Sequence, residues 1–204
     1  LPYNTIYTNL TLKIKHLNIL RGRIPMKYLF GGAVLVLVMS ACTVPSMSSD
    51  NTVTKVTNEI RVGSDNPAIQ AFKYIDYTER THRAELRELT GVDPVRTEWC
   101  AAFVNAVLEE SDIVSNNDHK YPLTARAFLQ WGQKVSKDNI QPGDIVVFPR
   151  GNSSWQGHVG FYLKTEVLNG VTYYWILGGN QSNKVSIVRY RSSRALGIRR
   201  QATI

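Results

Sequence analysis

The chain has 204 residues, room for one ordinary domain with appendages, and carries 24 Lys and Arg against 16 Asp and Glu for a formal net charge of +8. Lys13, Lys15, Arg21, Arg23 and Lys27 all precede Cys42 and no acidic residue does, so the chain from Cys42 onward keeps 19 basic and 16 acidic residues, a net charge of only +3. That excess, with no interleaved basic and aromatic motif, excludes a nucleic-acid-binding reading; the C-terminal arginines 189, 191, 194, 199 and 200 suit a solvated strand face or an anionic polymer.

In chain order, residues 1–25 hold four basic residues and neither a capped helix nor a turn-bounded strand, and are expected to be an unstructured upstream leader. Residues 26–41 follow the order of a secretory signal: basic Lys27, an apolar stretch from Leu29 to Met39, then small Ser40 and Ala41. The stretch is short for a membrane span. Met39-Ser40-Ala41-Cys42 resembles the lipobox of bacterial lipoproteins, with Met39 where leucine is usual; the resemblance implies lipidation of Cys42 and a membrane partner through that anchor. Residues 42–63 are rich in Ser, Thr, Asn and Val and read as a flexible tether that carries a domain away from a bilayer.

The expected folded domain spans 64–204. Ser64-Asp65-Asn66-Pro67 supplies caps and a first-turn proline for a helix to about Asp76. A second helix, 81–89, is closed by Gly91; Thr97 is the expected cap of a third, to about Glu110; a fourth covers 124–131 and ends on Gly132. Pro142-Gly143-Asp144 then turns the chain into β-rich runs: DIVVF, GHVGFYL, VTYYWIL, KVSIVRY and LGIRR. Asn169-Gly170 is a hairpin signal between the second and third of these. Helices first and antiparallel strands afterwards predict an α+β domain with N-terminal helices packed on a C-terminal sheet.

The third helix holds the one cysteine after Cys42. With Cys42 lipidated, Cys100 has no partner for a disulfide. On a helical projection Cys100 lines up with Phe103, Val104 and Val107, while Glu98, Asn105 and Glu109 share the opposite side, so the thiol marks the start of a core-facing surface. A cysteine is most often a small buried hydrophobe. In the first turn, however, the helix dipole and unpaired N–H groups stabilise a thiolate and suit a tetrahedral oxyanion.

A thiol nucleophile needs a base. Of His82, His119 and His158, the first two lie in charged or polar segments, whereas Gly157-His158-Val159-Gly160 opens an apolar strand and places an imidazole at its mouth. The strand VTYYWIL ends in Gly178-Gly179-Asn180-Gln181 and would return beside the start of the His158 strand. Asn180 is thus expected to orient the base, with Gln181 as the alternative. Trp99 and Trp155 flank this constellation and are candidates for substrate contact. Scattered single histidines lack zinc-ligand spacing, and no metal or other cofactor is expected.

Trp-Cys-Ala-Ala-Phe-Val-Asn, Pro-Gly-Asp-Ile-Val-Val-Phe, Gly-His-Val-Gly-Phe-Tyr, Leu-Gly-Gly-Asn-Gln and Leu-Gly-Ile-Arg-Arg, in this order over residues 66–200, resemble the CHAP and NlpC types of papain-like cysteine hydrolases. The resemblance implies a papain-like fold and cleavage of an amide bond in peptidoglycan, within the stem peptide or between muramic acid and L-alanine. It implies Cys100 as nucleophile, His158 as general base and acid, and Asn180 as orienting residue. Many CHAP members carry an acidic residue two positions before that asparagine, where this chain has Gly178. A monomer is expected, exported and lipid-anchored, at the periplasmic face of the outer membrane in a Gram-negative cell and otherwise at the cell surface. The competing readings are a catalytically inactive wall-binding or scaffold lipoprotein and an acyltransferase using the same residues.

Overall fold

The computed structural model describes residues 66–202; the leader, the signal-like segment, Cys42 and the tether fall outside the described residues. Among the described residues three α-helices, α1 (Pro67–Ala71), α2 (Arg83–Thr90) and α3 (Cys100–Glu110), precede six strands: β1 (Gln133–Lys134), β2 (Ile145–Pro149), β3 (Gly157–Leu168), β4 (Val171–Gly178), β5 (Ser186–Arg191) and β6 (Gly197–Arg200). The strands form one antiparallel sheet in the order β1-β6-β2-β3-β4-β5. The domain is α+β and papain-like.

Local signals account for most element ends. Asn66 caps α1, its side-chain oxygen accepting from the Ala68 N–H, with Pro67 at the first helical position. The predicted run to Asp76 is shorter in the structure: a 3₁₀ turn, Phe72–Tyr74, follows α1 and ends where Ile75 becomes extended. Gly91, at φ 71°, closes α2 in the left-handed conformation. The predicted fourth helix is a 3₁₀ helix, Ala125–Gln130, whose period of three puts Ala125 and Phe128 on one buried side. The two-residue edge strand β1 went unforeseen because both its residues are exposed and polar, leaving no apolar pattern to read.

The third helix begins later than predicted. Thr97 does not cap it: the Thr97 N–H donates to the Asp93 carbonyl in a preceding turn, Trp99 is the N-cap residue, and Cys100 is the first helical residue. From Cys100 to Leu108 every residue is buried. Asn105, expected on a polar face, is buried as well, its amide donating to the Pro122 carbonyl and accepting from the Asn116 N–H of the loop that folds over it.

Helix α3 packs on one face of the sheet. Trp99, Phe103, Val104 and Val107 meet Val159, Phe161, Leu163 and Leu177 there, and a smaller cluster of Val146, Phe148, Tyr162, Tyr174, Ile176 and Ile198 covers the other face. Burial on both faces is why β2 reads as an unbroken apolar run rather than an alternating one. Asp144 anchors the entry to β2, accepting from the Arg200 guanidinium at 2.6 and 2.8 Å and from the Gln141 N–H at 2.8 Å. Its role is structural.

Candidate active site

Cys100 sits at the positive end of α3, 3% exposed, with its thiol against the main-chain N–H groups of Ala101 and of Val159 in β3. The helix is held at that point by Trp99, whose indole is fully buried against Gly179 and Phe103. A Cβ at Gly179 would lie 2.5 Å from the Trp99 ring, so only glycine lets the end of β4 close onto the helix start. Trp99 therefore does not line a groove, as the sequence had suggested; it is a core residue that docks the start of α3.

His158 stands opposite Phe148 in the β2–β3 ladder and is 9% exposed. Among the described residues its imidazole has no hydrogen bond to the thiol; Cys100 instead meets the N–H of the next residue, Val159. The glycines flanking His158 admit protein rather than ligand. A Cβ at Gly157 would meet the Phe148 carbonyl at 2.8 Å and one at Gly160 would meet Ile176 at 2.6 Å.

The residue that holds the imidazole is Gln181. His158 Nε2 lies 3.2 Å from Gln181 Oε1. The amide cannot turn the other way, because its nitrogen faces three carbonyls: Gly178 at 3.2 Å, Ile176 at 3.4 Å and Ser186. The oxygen is left to accept, so His158 carries its proton on Nε2 and keeps Nδ1 as the basic nitrogen. Asn180, the first choice from the sequence, points elsewhere, its Nδ2 donating to Glu98 Oε2 at 2.6 Å. The exchange arises in the turn after β4: Asn180, Ser182 and Asn183 all adopt positive φ, and the left-handed residue at 180 sends the next side chain inward. Gly178 completes the arrangement, since a Cβ there would stand 3.3 Å from His158 Nε2 and 3.6 Å from the Gln181 amide carbon.

A cleft of about 90 Å³ opens over the thiol, lined by Cys100, Glu98, Arg150, Trp155, Gln156 and Gly157 among others. Trp155, 67% exposed, is on its wall. Glu98 forms an ion pair with Arg150, so the stretch before α3, the β2–β3 connection and the turn at Asn180 are tied together at the cleft mouth. A larger hollow of about 280 Å³ beside Asp144, Arg200 and Trp131 contains none of these groups. The other histidines among the described residues make local contacts: His82 stacks on Tyr77, and His119 contacts Gln130.

Electrostatics place Cys100 and His158 in their neutral forms at rest. Burial pushes the Cys100 thiol up, against smaller downward pulls from the Val159 and Ala101 N–H groups and Arg150. Burial also brings His158 down to about 4, only partly offset by the hydrogen bond to Gln181. At rest Cys100 is a neutral thiol and His158 a neutral imidazole.

A buried thiol at a helix start, a strand-borne imidazole and an amide fixing its tautomer are the kinds of group that papain-like thiol hydrolases use. Residues 92–180 match the family model described as CHAP domain, a span that contains Cys100, His158 and Asn180 and ends one residue before Gln181. The match supports a CHAP-type domain over this part of the chain, and CHAP domains are associated in general with peptidoglycan hydrolase or amidase activity. No curated protein matches the chain.

Proposed function

We propose that this domain hydrolyses an amide bond of peptidoglycan through Cys100, with His158 as general base and acid and Gln181, rather than Asn180, as the residue that orients it. The observation that carries the reading is the fixed Gln181 amide, whose oxygen holds the Nε2 proton and leaves Nδ1 of His158 free to accept one. Nδ1 takes the thiol proton as sulfur attacks the carbonyl carbon, and the first-turn N–H groups of α3 stabilise the oxyanion. The imidazolium returns that proton to the leaving amine as the C–N bond breaks. Water, deprotonated by the same nitrogen, then releases the acyl group and restores the thiol.

The open cleft over the thiol and the tautomer-fixing amide favour an enzyme over an inactive wall-binding module, which needs neither. Trp155 is the proposed substrate contact, with Glu98 and Arg150 at the mouth offering partners for the charged ends of stem peptides. The Met-Ser-Ala-Cys stretch supports export and lipid attachment at Cys42, and hence action at the membrane surface facing the wall.

The test is digestion of purified peptidoglycan by the full chain and by Cys100→Ala, with products identified by mass spectrometry. The expected result is new amine-terminated fragments from the wild type alone, whose masses identify the bond cut. Equal release by both proteins would remove Cys100 from the mechanism, and release by neither would favour the binding module.

A further inference from the structure

We propose that Tyr190, on β5, is a positioning residue for the His158 imidazole, fixing the ring's plane by stacking and its hydrogen-bond partner through Gln181. The inference rests on the reading of His158 as base and Gln181 as its orienting group. Tyr190 comes from a strand that the sequence presents only as a β-rich run of apolar and basic residues, and nothing in the proposed mechanism has yet used it.

Three contacts carry the proposal. The Tyr190 hydroxyl donates to Gln181 Oε1 at 3.0 Å, the same oxygen that meets His158 Nε2. Its ring lies nearly parallel to the imidazole, 5.4 Å between centroids at 21°. It also stacks on Phe148, 4.6 Å away at 23°, and Phe148 is the residue opposite His158 in the β2–β3 ladder. Phe148, Tyr190 and His158 thus brace one another, and Gln181 closes the arrangement. With two donors on its oxygen and three carbonyls around its nitrogen, the Gln181 amide has no uncommitted group to drive a flip.

A tyrosine kept only for its apolar ring would not need its hydroxyl at this oxygen. Burial pushes that hydroxyl up to about 12, so it remains a donor across the pH range of a working hydrolase. The other polar or charged groups facing His158 are Glu98 before α3, Cys100 in α3, Arg150 between β2 and β3, and Gln181 after β4. Arg150 opposes a charge on the imidazole and Glu98 favours one. The Tyr190 O–H dipole, with its hydrogen directed at the shared oxygen, reinforces the neutral state because it competes for the electron density that an imidazolium would use.

The experiment compares the full-length wild type, Tyr190→Phe and Cys100→Ala on purified peptidoglycan across pH, with folded protein quantified by circular dichroism. Phenylalanine keeps the stack and removes one hydrogen bond, so KM is expected to hold while kcat falls roughly 3- to 10-fold. The acid limb of kcat/KM is expected to move upward, toward the ordinary histidine range. A merely structural role would lower the folded fraction without moving that limb. A Tyr190→Phe limb superimposed on the wild type's, with Cys100→Ala inactive, would overturn the role of Tyr190 and leave the thiol reading standing. Hydrolysis by Cys100→Ala would overturn the thiol reading itself. In the wild-type protein, proton NMR should show a slowly exchanging Tyr190 hydroxyl with a nuclear Overhauser contact to the His158 Nε2 proton. Absence of that contact would overturn the proposal whatever the variants do.

Discussion

Gln181 shows how much a single side chain settles in this domain. Its amide meets carbonyls on one side and the imidazole and Tyr190 hydroxyl on the other, so its orientation fixes which nitrogen of His158 is basic. Gln181→Leu keeps the volume but leaves Nε2–H and several carbonyls without partners. It should lower kcat on peptidoglycan by on the order of 100-fold per folded molecule, whereas Gln181→Asn, which retains both an acceptor oxygen and a donor nitrogen, should keep substantially more. Steady-state kinetics corrected for the folded fraction check the pair, and equal activity of Gln181→Leu and wild type would remove Gln181 from the site. The sequence had narrowed the orienting residue to two neighbours. It favoured Asn180 because strand geometry brings the end of β4 back beside His158, but three left-handed residues in the following turn decide which side chain faces inward.

The join between α3 and the end of β4 determines where the thiol stands. Trp99 is packed into the sheet end, and Gly179 is the point at which backbone replaces side chain to allow that contact. A methyl group at 179 would overlap the Trp99 ring and lie 2.8 Å from the Phe103 Cβ. Gly179→Ala should therefore cost roughly 1–3 kcal/mol of stability and displace Cys100 relative to His158, so that activity falls more than stability does. Urea denaturation alongside peptidoglycan digestion measures both, and an alanine variant as stable and active as wild type would show that this contact is not limiting. The buried character of α3 was legible from Phe103, Val104 and Val107. Its start was not, because Thr97 is a good cap by residue type yet its N–H is already engaged by the Asp93 carbonyl.

For the molecule as a whole, the neutral buried imidazole links stability to pH. His158 titrates at about 4 in the folded domain and near 6.5 when unfolded, so between those values the unfolded chain binds more protons. Stability from this group is complete above about pH 6.5 and is lost as pH falls toward 4, by roughly 3 kcal/mol. Urea midpoints of the wild type should drop across that window, and those of His158→Gln should drop less. Parallel curves for the two proteins would exclude His158 as the source.

Residue type and order alone established the α+β class, the helix-then-sheet layout and the strand runs, and singled out one thiol and one strand-borne histidine. These follow from hydrophobic period, glycine and proline punctuation and side-chain chemistry, all of which are local. The exchange of Asn180 for Gln181, the burial of Trp99 and the bracing of His158 by Tyr190 were decided only by tertiary structure. Each depends on which groups are left facing one another once α3, β4 and β5 have packed, and that is a property of distances between elements rather than of spacing along the chain.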